Sequence, residues 1–247
     1  MSEAPWAALV RDVDLLCLDA GNTVIFLDHA RLSASCAPLG FRVDAQALVR
    51  AEGETKIALE RGEELTAGWS QAHDAAAVGW GKTVGTMLVR AGLSSGRVPE
   101  LLDALWPEHC AHNFWCRVPE GLVHALALAR AAGVRVAVVS NSEGVLAAFF
   151  DRIAIGAAFD LVVDSGVVGF EKPDPRIFRV ALDRFGIGPE RALHLGDNFS
   201  TDVLGARAAG IRVALVDPFG HLEGRHPDVP RVPGAAEVAR ALAARAR

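Results

Sequence analysis

Nothing in this 247-residue chain approaches the roughly 18 consecutive apolar residues of a membrane span. The opening MSEAPWAALVRDVD also lacks the basic start and long apolar stretch of a secretory signal. Cysteine is sparse: Cys17, Cys36, Cys110 and Cys116 make no Cys-x-x-Cys pair and no dense framework, so reduced thiols in a cytoplasmic protein are expected. Basic charge is in deficit. A net charge of −5 and a pI near 5.9 speak against a nucleic-acid partner, which favours a basic surface. Lysine is almost missing, with Lys56, Lys82 and Lys172 the only three, so an anionic ligand needs positive charge placed locally. There is no internal repeat and no low-complexity linker, and nothing in the chain sets an oligomeric state.

What is present is ordinary for a soluble globular protein: 51% apolar and 22% charged residues, in a chain long enough for one large domain or a core with an insertion. From about residue 120 strands and helices alternate. Gly121 to Ala132 has helical spacing and stops at Gly133, and Val134 to Val139 is an apolar strand. Ser140-Asn141-Ser142 then suits the cap of a helix from about Gly144 to Arg152. Phe159 to Val163, Leu193 to Leu195 and Val213 to Val216 read as further strands. Pro175 to Phe185 and Thr201 to Ala209 read as helices closed by Gly186 and Gly210. Asp217 to Gly234, rich in Pro, Gly and His, reads as a loop, and Ala235 to Ala246 as a last amphipathic helix.

Between about Asp28 and Cys116 the alternation disappears. Asp44 to Arg61, Ser70 to Ala91 and Pro99 to Cys116 carry helical spacing without β-branched runs. The expected fold is therefore α/β: a doubly wound, Rossmann-like parallel-sheet core built from residues 1–27 and 117–247, with an α-helical domain, 28–116, inserted in it.

Two stretches carry the chemistry. LLCLDAGNTV (Leu15 to Val24) and LHLGDNFSTD (Leu193 to Asp202) each read as a buried strand delivering a carboxylate past its end, the edge where open α/β sheets bind ligands. Two such carboxylates can share one hard cation. Taken singly, Asp19 could be a polar strand end, Ser140 and Asn141 helix caps, Lys172 a solvated loop residue, and Asp197 with Asp202 caps of the next helix.

In combination these segments resemble the haloacid dehalogenase superfamily. The nucleophile motif there has the form Asp-x-Asp-Gly-Thr after an apolar strand; here the sequence is Asp19-Ala20-Gly21-Asn22-Thr23, which keeps the nucleophile position. A serine ends the second strand in Val138-Val139-Ser140-Asn141. A Lys-Pro motif follows in Gly169-Phe170-Glu171-Lys172-Pro173, and then Gly196-Asp197 with Asp202 five residues on. The insertion between the first two motifs is the arrangement of members with a helical cap of the first type.

The resemblance implies a hydrolase, most often a phosphatase, acting on a small phosphorylated molecule. Asp19 would attack phosphorus and form an aspartyl phosphate. Magnesium would be held by Asp19, Asp197 and the backbone carbonyl of Gly21, oxygen donors that suit this ion. Ser140, Asn141 and nearby amides would bind the phosphoryl group, Lys172 would neutralise charge on it, and Asp202 would orient Lys172 or metal-bound water. The cap would close over the site and contribute selectivity.

One departure matters. The second Asp of the pattern, a general acid and base, is replaced by Gly21, and such a group contributes about 10²- to 10⁴-fold in rate. Asp28 or His29 could substitute, the substrate could carry a leaving group that needs no proton, or the protein could bind phospholigands without turnover. Dehalogenases and phosphonate hydrolases of the family also lack this Asp. The former need no metal, against Gly196-Asp197. The latter need a cap lysine, for which only Lys56 and Lys82 are available. Outside these motifs, His109, Cys110, His112 and Cys116 invite a transition-metal reading. Trp69, Trp80, Trp106 and Trp115 could line a pocket or pack together, and His194 is expected as a satisfied core histidine.

Overall fold

A computed structural model describes residues 6–63, 69 and 75–245. The chain starts with β1 (Leu15–Leu18) and β2 (Phe26–Leu27) and then runs through α1 (His29–Cys36), α2 (Ala45–Glu60), α3 (Ala75–Arg90) and α4 (Val98–Ala111). It returns through β3 (Trp115–Arg117), α5 (Leu122–Ala131), β4 (Arg135–Ser140), α6 (Leu146–Arg152), β5 (Leu161–Asp164), α7 (Ser165–Val168) and α8 (Arg176–Phe185). The last elements are β6 (Ala192–Gly196), α9 (Leu204–Ala208), β7 (Arg212–Val216), β8 (Arg231–Val232) and α10 (Ala235–Ala244).

Six strands form one parallel sheet in the order β5-β4-β1-β6-β7-β8. Every residue of β1 and β6 is buried, as expected of strands covered on both faces, so they read as unbroken apolar runs rather than as alternation. Leu15, Leu16 and Leu18 are fully buried, each stabilising the core by about 1.5–3 kcal/mol. The order reverses around β1, whose successors β4 and β5 lie on one side while β6 and β7 lie on the other. That reversal opens a crevice at the carboxyl ends of the central strands. Leu18 is in register with Val138 and Leu195, so Asp19, Ser140 and Asp197 leave the sheet at one edge.

Two compact units result. The first holds the sheet (Met1–Phe26, Arg117–Pro218 and Gly224–Arg247), and the second comprises Leu27–Cys116 with Phe219–Glu223. Within the second unit α1 to α4 bury a core of their own, including Leu32, Leu48, Val84, Leu88, Leu101 and Phe114.

Several boundaries differ from expectation. The helix expected over Pro99 to Cys116 ends at Ala111; Asn113 Oδ1 then accepts the Trp115 amide at 2.8 Å, and Trp115–Arg117 pairs with Phe26–Leu27 as a strand. Ser70 to Ala91 is helical over Ala75–Arg90, and its residues 70–74 lie outside the described residues, as do residues 1–5 of the expected core and Ala246 of the last helix. The expected loop Asp217 to Gly234 contributes β8 to the sheet. Helix α1 was not expected; Asp28 starts it by accepting the Arg31 amide at 3.0 Å.

Candidate active site

At the carboxyl edge of β1, the Asp19 amide donates to Leu195 O at 2.8 Å, so the nucleophile candidate is tied to β6 by its backbone. Its Oδ1 receives two donors: Lys172 Nζ at 2.5 Å and Ser140 Oγ at 3.2 Å. Lys172 Nζ also reaches Asp202 Oδ1 at 2.6 Å, and that oxygen meets His194 Nε2 at 2.9 Å. The Asn198 amide donates to Asp202 Oδ2 at 3.0 Å. All but Asn198 in this chain of contacts are buried. His194 is a core histidine as expected, but only Nε2 is satisfied, by a site carboxylate, while Nδ1 is buried with no hydrogen-bond partner among the described residues. Asp202 sits in a wide π turn, Phe199–Val203, which folds it back beneath β6. Gly196 makes room for it, since a Cβ there would lie 2.2 Å from the Asp202 carboxyl carbon.

Charge explains the tuning of this cluster. Burial pushes Asp19 up to about 7, Lys172 opposes that shift, and the Asp202 and Asp197 carboxylates add to it. Burial would raise Asp202 as well, but Lys172 and His194 hold it well below the usual carboxylate range. Lys172 would be lowered by burial, yet Asp19 and Asp202 raise it above an ordinary lysine, so it stays charged. Burial keeps His194 neutral by lowering it.

Asp19, Asp197 and Asp202 each present a carboxylate oxygen within 4.8 Å of the others, the only such group of three or more His, Cys, Asp or Glu side chains among the described residues. With all three carboxyls ionised, one ammonium leaves an excess of two negative charges. The donor set is all oxygen, so a hard divalent cation fits both its charge and its chemistry.

Ser140 and Asn141 do not cap α6 as expected. Asn141 instead clamps the Lys172 backbone from both sides, its Oδ1 accepting the Lys172 amide at 2.7 Å and its Nδ2 donating to Lys172 O at 3.0 Å. The capping falls to Asp164, a buried carboxylate that sequence reasoning missed. It accepts the amides of Gly144, Leu146 and Gly166 at 2.9, 3.1 and 3.0 Å. Ser165 Oγ joins in, accepting the Ser142 amide and donating to Ser142 O, both at 2.9 Å. Asp164 therefore shapes the turn that follows Ser140. Asp164→Ala, which strands three amide donors, is expected to cost about 2–4 kcal/mol in urea unfolding.

The alternatives outside this cluster resolve within the helical unit. Asp28 caps α1, and His29 is buried with Nε2 2.9 Å from Glu52 Oε2, so both are committed to contacts there. Lys56 lies one turn from Glu52 and helps, with the His29 hydrogen bond, to hold that buried carboxyl low. Lys82 is exposed. Trp69, Trp80 and Trp106 pack ring against ring with centroids 5.2–5.6 Å apart. His109 stacks on Trp106 and Phe114, accepts the Phe114 amide at 3.3 Å, and is pushed down to about 4 by burial and Arg31. It is a packing residue, and the transition-metal reading of that segment finds no support.

Comparison with known proteins agrees with the fold. Residues 13–210 match the haloacid dehalogenase-like hydrolase family, and the chain belongs to it. It is 41% identical to the phosphoserine phosphatase of Thermus thermophilus over 134 residues, 53% of this chain and 51% of that protein. The chain thus spans about half the length of that relative. To the bovine (Bos taurus) haloacid dehalogenase-like hydrolase domain-containing protein 3 it is 29% identical over 207 residues, 82% of this chain and 81% of the relative. The HAD-hydrolase YfnB of Bacillus subtilis, solved with magnesium bound, shares the fold with a TM-score of 0.61 at 15% identity, over 93% of this chain and 98% of that one.

Proposed function

We propose that this hydrolase is a magnesium-dependent phosphatase of small phosphorylated metabolites that works through an aspartyl phosphate on Asp19. The observation that carries the reading is the state of Asp19: Oδ1 is held by Lys172 and Ser140, while Oδ2 turns toward the position of Gly21, 4.0 Å from where a Cβ there would stand. A carboxylate fixed by one oxygen at a sheet edge is oriented for in-line attack with the other.

Asp19, Asp197 and the Gly21 carbonyl would hold magnesium, which when bound supplies charge neutralisation for the phosphoryl group. The chain's own residues do the rest. An Asp19 oxygen forms a bond to phosphorus as the ester P–O bond breaks, and the leaving oxygen departs with its electron pair. Water then attacks the phosphorus of phospho-Asp19, releasing inorganic phosphate and restoring the carboxylate. Lys172 and Ser140 stabilise the transferring oxygens, and Asp202, pinned by His194 and the Asn198 amide, keeps Lys172 in place. Asn141 fixes the backbone that carries Lys172. The family's general acid is replaced by Gly21, so substrates with good leaving groups are favoured. Substrate selection is assigned to the helical insertion, residues 28–116. The likeness to a phosphoserine phosphatase supports the reaction class.

The test is hydrolysis of p-nitrophenyl phosphate with magnesium, with chelator, and by Asp19→Asn. Turnover lost with chelator and lost at least 10³-fold in the variant is expected, in line with removal of a nucleophile. Equal rates for wild type and Asp19→Asn would reject the phosphatase reading in favour of a phospholigand binder.

A further inference from the structure

Asn22 stands where the family pattern has glycine, in the tight turn that follows Asp19. The turn is closed by the Asn22 amide on Ile25 O at 2.7 Å and by the Val24 and Ile25 amides on Ala20 O, each at 2.9 Å. Its φ of +54° is a left-handed conformation that glycine adopts freely and that asparagine tolerates better than most side-chain-bearing residues. Backbone geometry alone therefore does not call for a carboxamide, but the side chain has a position of its own. Nδ2 donates to Asp197 Oδ2 at 3.2 Å. Because a carboxylate offers only acceptors, this contact settles which end of the amide faces Asp197. Oδ1 is then left buried, and among the described residues no donor meets it. A buried acceptor without a partner costs about 1–3 kcal/mol, which a group inherited only for its φ would not carry at a position glycine fills more easily.

We propose that Asn22 is a positioning residue of the divalent-cation site: its Nδ2 holds the Asp197 carboxylate in the plane the cation needs, and its Oδ1 accepts a hydrogen bond from the cation's water shell. This rests on the magnesium-dependent reading above. Carboxylates that ligate metals are commonly oriented by such hydrogen bonds, and losing one weakens metal affinity about 10- to 100-fold. Magnesium keeps several of its waters when bound, so an acceptor at this place has a donor to meet.

The test is calorimetric titration of the full chain with magnesium chloride alone, comparing wild type, Asn22→Gly and Asn22→Asp, with urea unfolding in chelator beside it. Asn22→Gly keeps the turn and removes only the carboxamide; it is expected to bind magnesium about 10- to 100-fold more weakly. Asn22→Asp keeps an oxygen at the Oδ1 position but loses the Nδ2 donor and turns a second carboxylate toward Asp197, so it is expected to bind magnesium more weakly than wild type. Equal magnesium affinity for Asn22→Gly and wild type, even with a changed urea midpoint, would overturn the assignment and leave the phosphatase reading standing. A wild-type chain that binds no magnesium would overturn the metal reading itself.

Discussion

Gly21→Asp is expected to raise turnover of alkyl phosphates by about 10²- to 10⁴-fold, the contribution of one general acid, while p-nitrophenyl phosphate gains far less. The position is sterically ready for the change. A Cβ at Gly21 meets only Asp19 Oδ2, at 4.0 Å, and the residue is not among the positive-φ glycines of the chain. The introduced carboxyl would stand beside the Asp19 carboxylate, and like charge raises the affinity of an acid for its proton. A raised carboxyl pKa is what a proton donor near neutrality requires. Aryl phosphates bypass this need because nitrophenolate leaves without protonation. Gly21→Asn, of the same size but with no acidic proton to give, serves as control and should leave both rates unchanged. Steady-state rates on a pair of alkyl and aryl substrates decide the matter, and an equal gain on both would show that Gly21 is not where the acid is missing.

How much of this was legible beforehand follows from the range of each interaction. The central strands announce themselves because burial on both faces demands continuous apolar runs, as in Leu15 to Leu18 and Val136 to Val139. Asp19 and Asp197 can be noticed because each follows a buried strand, whereas Lys172 and Asp202 stand out through the resemblance of their segments to the family's motifs. Their convergence on shared oxygens is a consequence of the sheet order, which puts β4 and β6 on either side of β1.

Asp164, Asn22 and Asn141 were less legible for the opposite reason. Asp164 gathers amides from a turn 18 to 20 residues away, and Asn22 reaches a carboxylate 175 residues on, so no local spacing encodes either role. Asn141 looked like a cap because its neighbourhood has cap composition; its actual partner, Lys172, is 31 residues distant. Strand β8 is two residues long, too short for any period to show. Phe219–Glu223 groups with the helical unit through tertiary packing, as where His221 lies against Gly53, so close that a Cβ would stand 2.5 Å from the ring.

Lys172→Met is the substitution with the largest expected cost to the fold. It leaves Asp19 and Asp202 buried without the ammonium that both share at 2.5 and 2.6 Å, and breaking a buried pair from one side typically costs about 3–5 kcal/mol. The loss depends on pH. With Lys172 gone, burial and mutual repulsion act unopposed on Asp19 and remove the main influence that holds Asp202 low, so both folded-state pKa values rise. A carboxyl whose folded pKa lies above its unfolded value binds more protons when folded. Its stabilising effect is present at low pH and lost as pH rises through the folded pKa. In the variant Asp19, already near 7 with the lysine in place and higher without it, keeps its proton when folded, while the unfolded chain releases it, so folding costs more at pH 8 than at pH 5. The urea midpoint of Lys172→Met in chelator is therefore expected to fall furthest behind wild type at pH 8 and to recover part of the gap at pH 5. The double variant Asp19→Asn with Lys172→Met should regain much of the loss at pH 8, because the uncompensated charge is removed with its partner. A deficit that is the same at both pH values, and additive in the double variant, would mean that Lys172 stabilises the fold through its hydrocarbon stem and not through the charge that the proposed chemistry uses.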